Sequence, residues 1–315
     1  MSFWKGRKTL VTGAHGFTGS HLCRELRGEG ADVRAFVKNG SSLSNLSDIK
    51  DQIEILYGDI TDIASLQKAM KNIECVFHPA AIVPVMDVRQ SPQRGFLVNG
   101  IGAFNVAQAA MEAGVKRMLH ISTCHVYGNQ PESELPIHET TLPLPQDLYA
   151  ASKYAAEIYL RPLIDEGAPI IISRAFAKYG PGQGSQYIIP RIITEILQGR
   201  VPRLGSPMPT RDYSHIVDIA RGYMLILEKG NTGEIYHLSS EKETSIKEVS
   251  ALIVKILGKK IEPVWGSQTR PQDIMRLFGN SQKARKELGW KPTTSLENGL
   301  KQTIEWFKNK NLALK

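Results

Sequence analysis

A tyrosine and a lysine four residues apart form the most informative chemical pair in the chain. Tyr149 and Lys153 lie in the segment Tyr-Ala-Ala-Ser-Lys, and this spacing places both side chains on one face of a helix. The pair alone is common and says little. It becomes informative beside the hydroxyls of Ser122 and Thr123, which end a predicted strand, and with a glycine-rich motif near the N-terminus.

These residue types suit the oxidation of an alcohol. Removing hydride from a hydroxyl carbon requires a base for the hydroxyl proton, and tyrosine titrates near ~10 in water. To act near pH 7 its pKa must fall by about three, which is roughly 4 kcal/mol. Lys153 and an oxidised nicotinamide supply positive charge that favours the phenolate. Thr123 or Ser122 would hydrogen-bond the same substrate oxygen and fix its position.

Three glycines mark a candidate dinucleotide site. Gly13, Gly16 and Gly19 follow a predicted strand and open a helix with GxxGxxG spacing. The first glycine permits a tight turn, the second lets the backbone approach a pyrophosphate, and the third lets helix and strand pack closely. The helix N-terminus offers free N–H groups and the positive end of its dipole to phosphate. We expect Phe17 and Thr18 to contact the cofactor as well.

The residues after the second strand bear on the choice between NAD and NADP. An acidic residue there would bind the ribose 2′-hydroxyl of NAD, but the chain continues from Val37 as Lys-Asn-Gly-Ser. Lys38 and the serines can accept a 2′-phosphate, which slightly favours NADP; the alternative is a Lys38 that is simply solvated. Asp59, after the third strand, and its neighbour Ile60 are expected near the adenine.

Short β-branched runs alternate with helical patterns through the first half of the chain, which indicates βαβ units and a parallel sheet. The predicted fold class is therefore α/β, a Rossmann-type doubly wound sheet with a smaller C-terminal α/β domain. We place a dinucleotide-binding domain at 1–174, with 211–240 returning to it, and a substrate-binding domain at 175–210 and 241–315. Strands are predicted at 8–12, 32–37, 54–57, 75–78, 117–122, 170–174 and 235–238. Helices are predicted from about residue 20 and at 60–70, 96–113, 149–160, 190–197, 245–257 and 295–308.

Composition excludes several functional classes. The 315 residues suit one large domain and a smaller companion. No stretch approaches the ~20 apolar residues of a membrane helix, and no secretory signal opens the sequence, so we expect a cytoplasmic protein without membrane contact. Cys23, Cys75 and Cys124 are too few and too scattered for a disulfide framework or a zinc site, and no metal is predicted. The net charge of +8 is dispersed, which argues against nucleic acid as a partner.

At these residues the chain resembles the extended short-chain dehydrogenase/reductase superfamily, specifically the nucleotide-sugar epimerase/dehydratase family. The resemblance spans nearly the whole chain. The matching segments are TGAHGFTG, GDITD, FHPAA, VNGIGAFNV, ISTCHVYG, YAASK, YGPGQ, RDYSHIVDIARG and LGWKP. Ala80, Ala81 and Asn99 lie in these segments and are further expected cofactor contacts.

The resemblance implies a class of substrate, a tightly bound cofactor and an oligomeric state. The substrate would be a sugar activated by UDP, GDP, CDP or dTDP and bound in the smaller domain. The NAD or NADP would stay tightly bound and be recycled in each turnover. The protein would be a homodimer formed through the helices at 96–113 and 149–160.

Through this resemblance, four positions are expected to take part in binding the substrate diphosphate. Arg211 and Arg270 match positions that hold the diphosphate in the family, and a guanidinium suits phosphate through bidentate donation. The alternative for each is a surface ion pair. Asp273 is grouped with them. Ala177 stands where the family usually has an Asn near the substrate phosphates, and Pro79 is also unusual, so both departures bear on the substrate pose.

Residues 124 and 125 bear on the fate of the sugar after oxidation. Sugar 4,6-dehydratases of this family usually place an acidic residue just before Val-Tyr-Gly to remove the C5 proton, whereas simple 4-epimerases have small inert residues there. A cysteine occurs in relatives that epimerise next to the ketone and in a 5,6-dehydratase. Cys124 and His125 can both exchange protons near neutral pH. Alternatively, Cys124 packs in the core and His125 hydrogen-bonds the backbone.

The leading hypothesis is an NAD(P)-dependent nucleotide-sugar dehydratase or epimerase in which Tyr149 takes the C4 hydroxyl proton and hydride later returns to the sugar. One alternative is a 4-keto-sugar reductase that consumes NADPH once per turnover and exchanges its cofactor. Another is a non-catalytic NAD(P)-binding regulator on the same fold. The complete set of Thr123, Tyr149 and Lys153 argues against the regulator, since a sensor does not need all three.

Overall fold

A seven-stranded parallel sheet forms the centre of the protein in the computed structural model. The structure describes residues 2–83, 85–266 and 273–312, and of residues 311 and 312 it describes only the backbone. The strands are β1 (Lys8–Thr12), β2 (Asp32–Val37), β3 (Glu54–Tyr57), β4 (Cys75–His78), β5 (Arg117–Ile121), β6 (Ile170–Ala175), β7 (Ala177–Tyr179), β8 (Arg203–Leu204), β9 (Thr210–His215), β10 (Ile235–Leu238), β11 (Glu243–Ser245), β12 (Val264–Trp265) and β13 (Arg276–Leu277). The main sheet has the order β10-β6-β5-β4-β1-β2-β3. Strand order therefore reverses between β1 and β4, and open α/β sheets bind ligands at such a point.

Helices cover both faces of this sheet. They are α1 (Phe17–Gly28), α2 (Ile63–Ala69), α3 (Val85–Gln90), α4 (Pro92–Phe96), α5 (Gly102–Glu112), α6 (Leu148–Asp165), α7 (Ile188–Leu197), α8 (Ile216–Lys229), α9 (Ile246–Ile256), α10 (Gln282–Leu288) and α11 (Leu296–Leu312). One apolar cluster joins the sheet to α1, α8 and α10, and a second joins it to α2, α5 and α6. Because both faces are covered, the central strands are apolar on both sides, as parallel sheets require.

A second group of elements lies at the carboxyl edge of the main sheet. A single residue, Phe176, separates β7 from the end of β6. Strand β7 pairs with β9, which also pairs with β11 and β13. Helices α7, α9 and α11 bury their apolar faces in a third cluster with Tyr179 and Tyr213 of these strands. Strand β10 pairs with β6 and helix α8 packs on α1, so the chain returns to the main sheet after β9. The domain boundaries given above stay a prediction.

The predicted α/β fold class is confirmed. The bounds of β1, β2, β3, β4 and β10 agree with the sequence-based prediction, because short β-branched runs between turn residues identify buried parallel strands. The predicted helix over 96–113 is present, since the chain is helical throughout 92–112, but it is not a regular α-helix: α4 continues through a π-helical turn at Leu97–Ile101 into α5. Such π turns are rare and often lie at functional sites. Helix α8 was not predicted.

Candidate functional site

A cleft of about 930 Å³ opens at the carboxyl ends of β1, β4, β5 and β6, where the strand order reverses. Seventeen predicted site residues line it: Gly13, Gly16, Phe17, Thr18, Gly19, Lys38, Asp59, Ile60, Ala80, Ala81, Ser122, Thr123, Cys124, His125, Tyr149, Lys153 and Ala177. Three other predicted residues that the structure describes, Asn99, Arg211 and Asp273, do not belong to its wall. Arg270 lies outside the described residues.

The glycine-rich turn has the shape that a dinucleotide requires. Gly13 has a φ of +58°, and a Cβ atom there would lie 2.8 Å from the Cα atom of Ala80. A Cβ atom on Gly19 would collide with the Gly13 carbonyl. Gly16 is the N-cap of α1 and provides no side-chain cap for its first turn, so the helix N-terminus faces the cleft with N–H groups suited to phosphate. The turn therefore fits a dinucleotide diphosphate.

An ion pair lies at the end of the cleft nearest β2 and β3. The Lys38 Nζ atom is 3.3 Å from an Asp59 carboxylate oxygen, and the Lys38 side chain is 51% exposed. Burial alone would raise the pKa of Asp59, but hydrogen bonds from Thr61 and the Lys38 charge outweigh it and lower this pKa. The Lys38 amino group is thus paired with Asp59 and still accessible to a ligand in the cleft.

Asn99 holds the loop after β4 in place. Its side-chain oxygen accepts a hydrogen bond from the Ile82 N–H at 2.7 Å, and its amide donates to the Ile82 carbonyl and the Ser152 hydroxyl, both at 3.0 Å. The π turn carries this side chain. Asn99 therefore ties helix α6 to the loop that contains Ala80 and Ala81, and its predicted direct contact with the cofactor stays a prediction.

Tyr149 and Lys153 both lie buried in the cleft wall near the start of α6. Asp147 caps this helix by accepting a hydrogen bond from the Ala150 N–H at 2.7 Å. Burial raises the pKa of Tyr149 well above its usual value, and the Thr123 side chain partly opposes this. Burial lowers the pKa of Lys153 to about 7, with the charge of Glu157 opposing. The isolated site therefore disfavours both the phenolate and the ammonium.

The amino group of Lys153 has no hydrogen-bond partner among the described residues although it is buried. Glu157 is one helical turn away and would be its natural partner, but both Glu157 oxygens accept hydrogen bonds from Arg174, at 2.5 to 3.2 Å. A buried polar group without a partner is costly. The amino group is thus available to a ligand in the cleft, such as a ribose hydroxyl of a dinucleotide.

A buried network fixes the end of β5 beside α6. Ser122 donates its hydroxyl hydrogen bond to Glu157, and Arg174 also donates to the Tyr127 hydroxyl at 2.7 Å. The side chains of Glu157 and Arg174 are each 4% exposed. Because Glu157 occupies the Ser122 hydroxyl, Thr123 is the better placed hydroxyl for a substrate. Sequence analysis missed Glu157, although its spacing of four from Lys153 was visible.

Cys124 and His125 have different surroundings. Cys124 is buried in an apolar cluster with Val126 and Phe176, and burial raises the pKa of its thiol to about 12. The His125 Nδ1 atom is 3.8 Å from a carboxylate oxygen of Asp147, and its side chain is 31% exposed. Burial alone would raise the pKa of Asp147, but His125 and the backbone of α6 outweigh it and lower this pKa. His125 is therefore the better placed of the two to exchange protons.

The predicted substrate residues outside the cleft wall have other contacts. Arg211 donates from Nη1 to the carbonyls of Thr210 and Ile274, at 2.7 and 2.8 Å. The Asp273 carbonyl accepts from Asn129 at 3.1 Å. Conversely, sequence analysis did not predict several residues of the wall: His15, Asn45, Met86, Arg94, Lys178 and Tyr187. The glycine- and proline-rich segment after β7 was the available signal for Tyr187.

Comparisons with known proteins agree with this geometry. A family model described as GDP-mannose 4,6 dehydratase matches residues 10–303. The dTDP-glucose 4,6-dehydratase of Mycolicibacterium smegmatis is 31% identical over 309 residues, which cover 96% of this chain and 93% of the relative. The chain belongs to the nucleotide-sugar epimerase/dehydratase family. It spans 47% of one matching relative, a trifunctional UDP-glucose 4,6-dehydratase, epimerase and reductase of Arabidopsis thaliana, with 30% identity over 96% of this chain.

Solved structures of this family have the same fold. UDP-glucose 4-epimerase of Thermotoga maritima, with UDP-glucose, has a TM-score of 0.90 at 28% identity, and the match covers 96% of this chain and 99% of that one. DesIV of Streptomyces venezuelae, a dTDP-glucose 4,6-dehydratase with NAD and TYD bound, also has a TM-score of 0.90 at 28% identity, with 97% and 98% covered. The predicted family and its enzymatic character are confirmed at this level.

The buried Lys153 makes stability depend on pH in a defined direction. Its pKa in the folded protein, about 7, is below the usual 10.5, so between these pH values the unfolded chain binds a proton that the folded chain does not. The free energy of unfolding therefore rises with pH in this window. We expect Lys153→Met to stabilise the cofactor-free protein near pH 7 by a few kcal/mol, at about 1.4 kcal/mol per pKa unit.

Urea unfolding of both proteins from pH 7 to 10 measures this effect, and the stability gain of the variant should shrink as pH rises. Lys68→Met, at an exposed position of α2, is the matched control and should change stability little at any pH. An unchanged or reduced stability of Lys153→Met at pH 7 would contradict the expectation.

Proposed function

We propose that this protein is a nucleotide-sugar epimerase or dehydratase that transiently oxidises the sugar at C4 and later returns the hydride to the sugar. In a 4-epimerase this return itself completes the epimerisation. The observation that carries the proposal is the convergence of Thr123, Tyr149 and Lys153 in one cleft below the glycine-rich turn. The NAD or NADP that this turn fits supplies a hydride acceptor and, once reduced, a hydride donor. The base, the nearby cation and the hydroxyl that orients the reacting oxygen are supplied by this chain, as Tyr149, Lys153 and Thr123.

Tyr149 acts as the base in this proposal. Its pKa must fall for the phenolate to form, since burial raises it. A protonated Lys153 on the same helix face favours the phenolate, and ligand oxygens near its unpartnered amino group favour the ammonium. Thr123 donates or accepts a hydrogen bond at the reacting oxygen and orients it. Closing the site with ligands therefore turns two disfavoured charges into a mutually stabilising pair.

We assign to His125 the transfer of the proton on the carbon next to the new ketone. The imidazole lies beside Asp147, and its ring centroid is 6.1 Å from that of Tyr149. Cys124, with its raised thiol pKa, stays neutral and packs against the turn. An epimerase would return the proton to the opposite face of the same carbon, whereas a dehydratase would lose a neighbouring hydroxyl as water. In a simple 4-epimerase both residues stand aside.

We assign the substrate diphosphate to Arg211, on β9 of the smaller sheet, and to Arg270. Asp273, close to Arg270 in sequence, and Ala177, in the cleft wall, are the further proposed substrate residues. The DesIV structure has NAD and TYD bound and the Thermotoga maritima epimerase has UDP-glucose, and these neighbours support a nucleotide-activated sugar for the present chain. A 4-keto-sugar reductase that uses NADPH is the second candidate, and the observation that favours it is Lys38 at the position where an NAD site has an acid.

Mass spectrometry of products from UDP-, dTDP-, GDP- and CDP-sugars tests the proposed function. Loss of a water's mass indicates dehydration, unchanged mass with altered mobility indicates epimerisation, and a gain of two hydrogens indicates reduction. We expect Tyr149→Phe to lower turnover by about 10²- to 10⁴-fold, the usual contribution of general acid–base catalysis, with little loss of sugar nucleotide binding. In D2O, His125→Asn should lose the deuterium that the wild type incorporates beside C4. Full turnover by Tyr149→Phe would reject the mechanism.

The cofactor preference is proposed to favour NADP slightly, through Lys38. Its partly exposed amino group lies in the cleft wall, and pairing with Asp59 leaves it able to contact a 2′-phosphate as well. We expect Lys38→Ala to weaken NADP binding by about tenfold, or about 1.4 kcal/mol, and to leave NAD binding nearly unchanged. Fluorescence titration of cofactor-free protein with both dinucleotides measures this. Equal losses for NAD and NADP would show that Lys38 does not discriminate between them.

A homodimer is proposed to form through the helices at 96–113 and 149–160, which correspond to the π turn with α5 and to α6. Apolar side chains on this surface are strongly exposed: Phe96, Leu97, Ile101, Ile158 and Tyr159. Tyr159 also stacks edge-on with Phe104 across α5 and α6, with ring centroids 6.4 Å apart. An exposed apolar patch of this kind is typical of an interface.

Light scattering after gel filtration tests this assembly. Tyr159→Glu should shift the protein from dimer to monomer, because it would bury a carboxylate in an apolar interface. Met208→Glu, which changes a similarly exposed apolar side chain on another surface, should leave the dimer intact. A monomeric wild type, or a dimer that persists in Tyr159→Glu, would contradict the proposal.

A further inference from the structure

A second lysine lies at the reactive end of the cleft. Lys178 is the middle residue of β7, opposite Ser214 of β9, and its side chain forms part of the cleft wall beside Ala177. Its amino group donates one hydrogen bond, to the Tyr223 hydroxyl at 3.4 Å, and lies 6.0 Å from the centre of that ring. The mechanism proposed above assigns no role to this amino group.

The surroundings of Lys178 provide no counter-charge. Among the described residues, no carboxylate lies within ion-pair distance of its amino group. Asp59 is paired with Lys38, and Asp147 with His125 and the α6 backbone. The other acid of the cleft wall, Asp87, acts on Tyr187 and not on Lys178. Burial lowers the pKa of Lys178 to about 8, and only the Cys124 thiol opposes this.

Lys178 also interacts with the reactive groups. Its charge lowers the pKa of Lys153, and the Cys124 thiol raises the pKa of Lys178 itself. Both lysines line the same cleft, and among the described residues neither has a carboxylate as an ion-pair partner. Lys178 is half-buried, and a cation partly removed from water without a counter-charge is costly unless a ligand provides one. A neutral sugar would leave this cost in place, whereas an anionic sugar would remove it.

We propose that Lys178 is a specificity-determining residue that binds a carboxylate carried by the sugar, so that the preferred substrates are nucleotide-activated uronic acids. The inference rests on the proposed function, which places the sugar ring, rather than the diphosphate, at this end of the cleft. Two N–H groups of Lys178 remain for a ligand after the bond to Tyr223.

Binding to the holoenzyme at pH 7 tests this inference. Isothermal titration compares the nucleoside diphosphate, the glucose form and the glucuronate form, each as UDP and dTDP derivatives, for the wild type, Lys178→Met and Lys178→Arg. We expect the wild type to bind the glucuronate form at least tenfold more tightly than the glucose form. Lys178→Met should abolish this preference and leave the affinity for the nucleoside diphosphate unchanged. Lys178→Arg should keep part of the preference, because the charge remains.

Each other outcome has a definite meaning. An equal loss of affinity for all three ligands in Lys178→Met would place the lysine on the diphosphate and overturn the inference. A wild type without preference for the glucuronate form would overturn it too, even if the Met variant does not fold. If the wild type oxidises the glucose form at C4 without such a preference, the proposed function stands and only this inference fails. If no sugar nucleotide binds while the cofactor does, both fail.

Discussion

The commitment of Glu157 to Arg174 determines the chemistry available in the cleft. Lys153 lies one helical turn before Glu157, and a pair at this spacing would normally neutralise itself on the helix surface. Both carboxylate oxygens instead bind the Arg174 guanidinium, and one also accepts from Ser122. Within the described part of the chain, the buried amino group of Lys153 therefore has no partner. The ion pair in the core thus leaves an amino group in the wall whose positive charge ligands can stabilise.

The same network places the reacting groups relative to one another. Ser122 and Thr123 directly follow strand β5, helix α6 carries Tyr149 and Lys153, and strand β6 carries Arg174. Removing one member of a buried ion pair leaves the other uncompensated, which is strongly destabilising. The network therefore couples the stability of the fold to the geometry of the site. The Tyr127 hydroxyl extends it to His237 of β10, at 2.6 Å, so the last strand of the sheet shares the same support.

The position of the cleft follows from topology. Parallel strands point their carboxyl ends to one edge, and the reversal of strand order between β1 and β4 opens a crevice there. The glycine-rich turn after β1, the loop after β4 and the hydroxyls after β5 all lie at this crevice. Because β7 continues directly from β6, the smaller sheet begins at the same edge. Cofactor and sugar can therefore meet where the two groups of elements adjoin.

The sequence by itself determined the fold class, most strand bounds and the principal chemical groups. These properties depend on local patterns: apolar runs between turn residues, glycines with fixed spacing, and Tyr149 and Lys153 on one helix face. The sequence analysis did not predict the π turn or the bonds of the Asn99 side chain that it carries, which join Asn99 to Ile82 and Ser152, distant in the chain. Resemblance to a family could suggest Asn99 as a cofactor contact but not this bonding.

Only the tertiary structure decided how the groups are paired and which charges stay unpaired. It brought Arg174 to Glu157 from a strand 17 residues away and joined Lys38 to Asp59. It left Lys178 in the same cleft wall as Cys124, with no carboxylate in ion-pair contact among the residues that the structure describes, although the lysine was plainly visible in the sequence. The physical reason is that the free energy of a charge depends on its burial and its neighbours. Both are set by packing between elements far apart in the chain, and no local pattern records them.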